Sequence, residues 1–198
     1  MPDNSGQERR KLLLFGSYGY DIPGSRDFIL AKAGLSCGTV LEIGTGRGYM
    51  SAALAKKGFK TVSIDIDAKN LKAARFNLKS AKPDKIVTFR VMDAGCLEYK
   101  DNSFDYAVSV DFLHHAGAPR RCLREMARVA AKKLVIADLN KRGTLIMDRI
   151  HRLEGRLHPV SKVSLGAVKI LLENMGMKVK TYRGGCHTVL VAEKRSWE

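Results

Sequence analysis

Val40-Leu41-Glu42-Ile43-Gly44-Thr45-Gly46-Arg47-Gly48-Tyr49 is an apolar run that closes in alternating glycines and leads into the helix formers Met50-Ser51-Ala52-Ala53-Leu54. A strand that ends in a glycine turn and opens a helix is the repeating unit of open α/β sheets, and ligands bind at the carboxyl edge of such sheets. Working outward, the same alternation continues. Strands are predicted at Thr39–Ile43, Thr61–Ile66, Ile86–Met92, Phe104–Val110 and Lys133–Asp138. Helices are predicted over Ser25–Ala33, Tyr49–Lys57, Ala68–Ser80, 119–131 and 143–157, with Pro83 breaking the chain before the third strand. A further helix, capped by Ser161, ends at Gly176. The last two runs, Lys178–Tyr182 and His187–Ala192, are joined by Arg183-Gly184-Gly185-Cys186, too short for a crossover helix, so they must pair as a hairpin.

The expected fold is therefore α/β: a Rossmann-like, doubly wound, mostly parallel seven-stranded sheet finished by a C-terminal antiparallel hairpin. At 198 residues the chain fits one domain, read as 25–198 with a short N-terminal segment 1–24. Arg9, Arg10 and Lys11 precede an apolar run of only Leu12 to Phe15, too short for an export signal, and no membrane span is expected. Cys37, Cys96, Cys122 and Cys186 have no metal-finger or paired spacing, so they read as reduced thiols, with no metal site. A cytoplasmic location follows from these expectations. The net charge of +15 favours anionic partners, although much of it falls on helix faces that meet water, as at Arg120, Arg124 and Arg128.

The glycine turn narrows the ligand. In a dinucleotide fingerprint G-x-G-x-x-G the third small residue would stand at position 49, which is Tyr49. Glu42, two residues before the first glycine, repels phosphates and suits a cation such as a sulfonium or an ammonium. Asp65 ends the second strand, where a carboxylate can accept from both ribose hydroxyls, while Asp67 is explained equally well as a helix cap. Met92-Asp93-Ala94 ends the third strand, where Asp93 can accept from an adenine amino group and the Ala94 N–H can donate to the ring.

Leu41 to Gly48, Asp65, Asp93-Ala94 and Asp105 to Val108 together resemble the motifs of class I S-adenosylmethionine-dependent methyltransferases, over roughly residues 25–193. Phe104 to His115, ending Asp111-Phe112-Leu113-His114-His115, resembles the methyltransferase type 11 group, which includes many small-molecule enzymes. The resemblance implies S-adenosylmethionine as cofactor. It sets Gly44, Gly46 and Gly48 along the methionine moiety, Asp65 at the ribose, Asp93 and Ala94 at the adenine, and Asp111 near the methionine end, with Glu42, Thr45 and Ile66 as further cofactor-binding candidates. Within this group the chain departs in its short N-terminal segment, and the Asn-Pro-Pro-Tyr type motif of amino-directed enzymes is absent after the fourth strand.

Transfer from a sulfonium needs alignment and exclusion of water, with a base where the acceptor must lose a proton. His114 and His115 are the candidates for that base, against a purely structural role. Tyr18 and Tyr20, flanked by Gly16 and Gly19, are candidates for a partial lid or for N-terminal packing. In the helix 143–157, Ile146, Ile150, Leu153 and Leu157 form a stripe, and Arg149, Arg152 and Arg156 are available to an anionic acceptor or to water. The expected partner is a small-molecule acceptor, an anionic one included. An RNA acceptor has only the net charge in its favour, a non-catalytic S-adenosylmethionine-binding module is a third reading, and a nicotinamide oxidoreductase lacks both its glycine register and a Tyr-x-x-x-Lys pair.

Overall fold

The computed structural model describes residues 4–78, 86–155 and 163–194. The elements in chain order are α1 (Asn4–Ser17), α2 (Ile22–Ala33), β1 (Thr39–Ile43), α3 (Tyr49–Lys56), β2 (Lys60–Asp65), α4 (Ala68–Leu78) and β3 (Val87–Val91). They continue as β4 (Phe104–Val110), α5 (Pro119–Val129), β5 (Ala130–Leu139), α6 (Lys141–Leu153), α7 (Leu165–Asn174), β6 (Lys178–Gly184) and β7 (His187–Glu193). The strands form one sheet in the order β3-β2-β1-β4-β5-β7-β6, in which β1 to β5 run parallel and β7 is antiparallel to both its neighbours. The doubly wound sheet and its terminal hairpin are as the sequence led us to expect.

Strand alternation divides the core between the two faces of the sheet. Leu41, Ile43, Ala107, Leu134 and Ile136 face α5 and α7, whose Leu123, Met126, Val168 and Leu172 are buried against them. Val40, Val108, Val135 and Ala137 face α2 and α3 and pack with Ile29, Leu30, Met50 and Leu54. Burial on both faces explains why the central strands read as continuous apolar runs.

Several boundaries differ from the sequence reading. Helix α2 starts at Ile22, because Asp21 caps it by accepting from the Gly24 N–H at 3.1 Å. Helix α1 was not expected at all, since its apolar residues trace no clean stripe. It is tied down by distant partners: the Glu8 carboxylate accepts from the Arg47 guanidinium and the Tyr49 hydroxyl. Strand β5 begins earlier, at Ala130, where it pairs with Phe104 across an irregular register. The hairpin is tighter than read, with Gly184 opposite His187 and only Gly185-Cys186 between them.

Leu153 is 64% exposed and leaves the apolar stripe of α6, because the last turn of that helix, Arg152 to Glu154, overhangs the core. Leu157, Arg156 and the expected cap Ser161 lie outside the described residues, as does the end of the helix predicted to reach Ser80. Ser164 caps α7, accepting from the Ala167 N–H at 3.2 Å.

Candidate functional site

The carboxyl ends of β1 to β5 lie along one edge of the sheet, and the cofactor and base candidates from Glu42 to His115 stand at or just beyond those ends. The turn after β1 holds its own backbone: the Gly44 and Thr45 N–H groups donate to the Ile64 carbonyl at 2.9 and 3.0 Å, and the Gly46 N–H donates to Asp65 Oδ2 at 2.9 Å. These amides are spent inside the protein, so the turn is not a phosphate cradle. Gly48 caps α3 at φ +81°, and a Cβ there would lie 2.9 Å from Ala74 Cβ and Leu78 Cδ1. Only glycine lets α3 and α4 approach so closely at that conformation.

Glu42 is buried beneath this turn, where the Ser51 hydroxyl donates to its carboxylate. Thr45 and Ser63 complete the polar floor, their hydroxyls 2.6 Å apart. Burial pushes the Glu42 carboxyl up to about 7, against the hydroxyl hydrogen bonds that favour the anion. A carboxyl so poised gains its charge readily when a cation binds nearby.

Asp65 ends β2 and, besides Gly46, receives the Asp67 N–H at 2.9 Å and the Asn70 amide at 3.2 Å. Asp67 in turn accepts from the Lys69 N–H at 2.8 Å, as a residue at a helix entry does. Ile66 stands 73% exposed beside Asp65, a large apolar side chain left in the open next to a polar site. Asp93 is exposed and accepts from the Gly95 N–H at 2.8 Å, with Ala94 buried next to it.

Asp111, just past β4, adopts φ +54°, which a non-glycine residue holds only with local support. The support is a buried cluster. Asp111 Oδ2 accepts from Arg26 Nη2 at 2.9 Å and from the Tyr20 hydroxyl at 3.0 Å, and His187 Nε2 lies 2.9 Å from Oδ1. Burial alone would raise the Asp111 carboxyl, but the Arg26 charge and the contacts with His187 and Tyr20 outweigh it and hold the group well below the ordinary carboxylate range. Burial and the neighbouring Asp111 charge push the Tyr20 phenol up, so it stays a donor. Tyr20 is thus pinned in the protein, whereas Tyr18 is half-buried under the Arg149 guanidinium.

His114 is buried, and its Nδ1 lies 2.7 Å from Asp138 Oδ1 at the end of β5. Burial disfavours the charged imidazole, yet the Asp138 hydrogen bond and charge prevail and raise its pKa. His115 packs on it, ring centroids 4.0 Å apart. Both line a cavity of about 240 Å³ that Asp111 and Arg26 also reach. Phe15, Ile22, Leu139 and Met147 form its apolar wall, and Lys11, Tyr49 and His151 add polar groups. Among the described residues no cluster of three or more His, Cys, Asp or Glu is arranged to hold a metal ion.

Sequence reasoning missed Arg26, Asp138, His151 and His187. Asp138 was within reach, since it ends a strand at the same edge. His187 begins an antiparallel strand, so its first residue reaches the edge where parallel strands finish; Leu139 is its partner in register. Arg26 sits mid-helix and His151 in the last turn of α6, neither with a local signal.

Residues 41–136 match the family model of a methyltransferase domain. Over that stretch the chain resembles the methyltransferases of the type 11 group, as its motifs led us to expect. It is 37% identical over 109 residues to Methyltransferase GfsG of Streptomyces halstedii, covering 54% of this chain and 39% of that protein. It is 35% identical over 144 residues to the 2-methyl-6-phytyl-1,4-hydroquinone methyltransferase of a Synechocystis strain, covering 64% of this chain and 44% of that one. The chain spans less than half the length of either relative. A solved S-adenosylmethionine-dependent methyltransferase from Aquifex aeolicus shares the fold, with a TM-score of 0.67 and 22% identity over 86% of this chain and 89% of that one.

Proposed function

We propose that this protein transfers the methyl group of S-adenosylmethionine to a small-molecule acceptor bound in the cavity beside His114. The observation that carries the reading is the Asp138–His114 pair opening on a largely apolar cavity that shares Asp111 with the glycine-turn edge of the sheet.

The residues present suit this cofactor. Four carboxylates, Glu42, Asp65, Asp93 and Asp111, stand at successive strand ends, and the turn amides are already bonded within the chain, a set that favours a cationic nucleoside over a dinucleotide. Asp65 would accept from the ribose hydroxyls, with Ile66 offering an apolar surface to the base. Asp93 and the Ala94 N–H would hold the adenine. Gly44, Thr45, Gly46 and Gly48 would flank the methionine portion, with Glu42 and Asp111 supplying the negative potential for its charges. When bound, S-adenosylmethionine supplies an electrophilic methyl group on a positively charged sulfur.

The chain's own part is alignment and proton removal. With Nδ1–H donated to Asp138, His114 Nε2 carries the lone pair that takes a proton from the acceptor, and the Asp138 charge stabilises the imidazolium that results. His115 is the alternative base on the same wall. The apolar wall with Lys11 and three histidines suits an apolar molecule bearing an acidic hydroxyl or an acidic carbon. Helix α1 covers one side of this cavity through Phe15 and Tyr20 lies at its base, the part that segment 1–24 would play as a partial lid. Four cysteines with no disulfide among them agree with a cytoplasmic setting.

Calorimetric titration with S-adenosylmethionine, S-adenosylhomocysteine and NAD tests the cofactor. Binding of the first two alone, weakened at least about tenfold in Asp65→Ala, is expected from the loss of charge-assisted hydrogen bonds; absence of adenosyl-ligand binding would refute the reading. Screening phenols and quinols for methyl transfer tests the acceptor. His114→Ala should then lower turnover about 100-fold with cofactor affinity unchanged, whereas cofactor affinity without any turnover would leave a binding module.

A further inference from the structure

We infer that the outer faces of α1 and α6 form a docking surface for an anionic lipid bilayer, which would bring the entrance of the acceptor cavity to the membrane. The two helices share one task. Lys11 and Phe15 of α1 and Met147 and His151 of α6 line the cavity, and both helices bury apolar residues in a single cluster around Phe15, Ile22 and Ile150. The Arg149 guanidinium lies 5.1 Å from the Tyr18 ring centroid and ties α6 to the end of α1.

The opposite faces of the same helices have no such occupation. Leu13 of α1 and Leu145 and Leu153 of α6 are each more than 60% exposed, at 66%, 62% and 64%. On α6, Leu145, Arg149, Arg152 and Leu153 fall within about a quarter of the helix circumference, given 100° per residue. Exposed cations surround the leucines: Arg9 and Arg10 on α1, and Lys141, Arg142, Arg149 and Arg152 on α6. Among the described residues of these helices the acidic side chains are Glu8, which is buried against Arg47 and Tyr49, and half-buried Asp148; exposed Glu154 follows α6.

Protruding leucines ringed by arginine and lysine match the interface of an anionic bilayer, where the apolar side chains enter the acyl boundary and the cations meet headgroup phosphates. A polynucleotide would use the cations but not the leucines, and neither outer face offers an exposed aromatic ring for base stacking. No helix among the described residues is long and apolar enough to cross a membrane, so this would be attachment to the surface.

The test is co-sedimentation of the full chain with vesicles of phosphatidylcholine alone and of phosphatidylcholine mixed with phosphatidylglycerol. Binding to the mixed vesicles only, reduced by added salt, is expected. Two triple variants, Leu13→Ser/Leu145→Ser/Leu153→Ser and Arg9→Glu/Arg10→Glu/Arg152→Glu, should each weaken that binding at least about tenfold, with thermal unfolding showing that both remain folded. Failure to bind mixed vesicles, equal binding to both compositions, or a leucine variant that binds as well as the parent would overturn the proposal. In the last case a short RNA that competes equally would mark the face as a polyanion site. Cofactor titration is a separate measurement, so loss of membrane binding and failure of the methyltransferase reading are told apart.

Discussion

The two halves of the sheet edge are built in different ways. On the side of β1 to β3, Asp65 takes its hydrogen bonds from Gly46, Asp67 and Asn70, all in the adjoining turn or in the next helix. On the side of β4 to β7, Asp111 is held by Tyr20, Arg26 and His187, which stand 91, 85 and 76 residues away in the chain. Asp65, in the first half, is half-buried and held mainly by nearby backbone amides; Asp111, in the second, is half-buried and held by the buried side chains of Tyr20, Arg26 and His187. A site assembled by local grammar survives the loss of a single side chain, whereas one assembled by packing depends on every member.

The largest effect that sharpens this contrast is expected at Arg26. Arg26→Met leaves half-buried Asp111 without its guanidinium partner, a change expected to cost about 2–4 kcal/mol, somewhat less than breaking a fully buried pair. Denaturant unfolding would read it, and a loss below about 1 kcal/mol would break the comparison. The sign with pH follows: Asp111, depressed in the folded state, contributes stability above the ordinary carboxylate range that is lost as pH falls through its folded value. The variant should therefore lose stability less steeply in acid than the parent.

Next comes the glycine turn, where backbone strain and close helix approach can be separated within one loop. Gly48→Ala combines positive-φ strain with overlap against Ala74 and Leu78 and should cost about 3 kcal/mol. Gly46→Ala, also at positive φ but with nothing within 4 Å of the added Cβ, should cost about 1 kcal/mol. Equal losses in thermal unfolding would mean that the approach of α3 to α4 carries no weight.

At Glu42 the expected effect is a pH-dependent gain rather than a loss. Its folded value of about 7 lies above its ordinary 4.5, so the folded state holds the extra proton between those values. The stability this provides is present below about pH 4.5 and is lost as pH rises through about 7. Glu42→Gln should leave stability near pH 5 almost unchanged and raise it by about 1–3 kcal/mol relative to the parent at pH 8. The same linkage makes affinity for S-adenosylmethionine rise with pH through this range in the parent and stay flat in the variant. A pH-independent affinity in the parent would remove Glu42 from the cation's surroundings.

The legible part of the fold follows from periodicity. Continuous apolar runs such as Leu134 to Ala137 announced buried strands, and Gly58, Gly176 and Pro119 marked helix ends in the right places. Helix α1 was illegible because its tether, Glu8 to Arg47 and Tyr49, joins residues about forty positions apart. The exposure of Leu153 was illegible for a related reason: a stripe shows which side of a helix is apolar, not where the core beneath it stops.

By itself the sequence determined the order of elements after α1, the sheet with its terminal hairpin, and the line of candidate residues from Glu42 to His115 at the strand ends. Those follow from hydrophobic period, turn chemistry and the requirement that strand ends meet a ligand together. Only the tertiary structure decided that Asp138 stands behind His114, that His187 and Arg26 close on Asp111, and that α1 and α6 wall the cavity. These contacts join segments far apart in the chain, and their energy comes from burial and charge pairing that exist only once the sheet has brought those segments together.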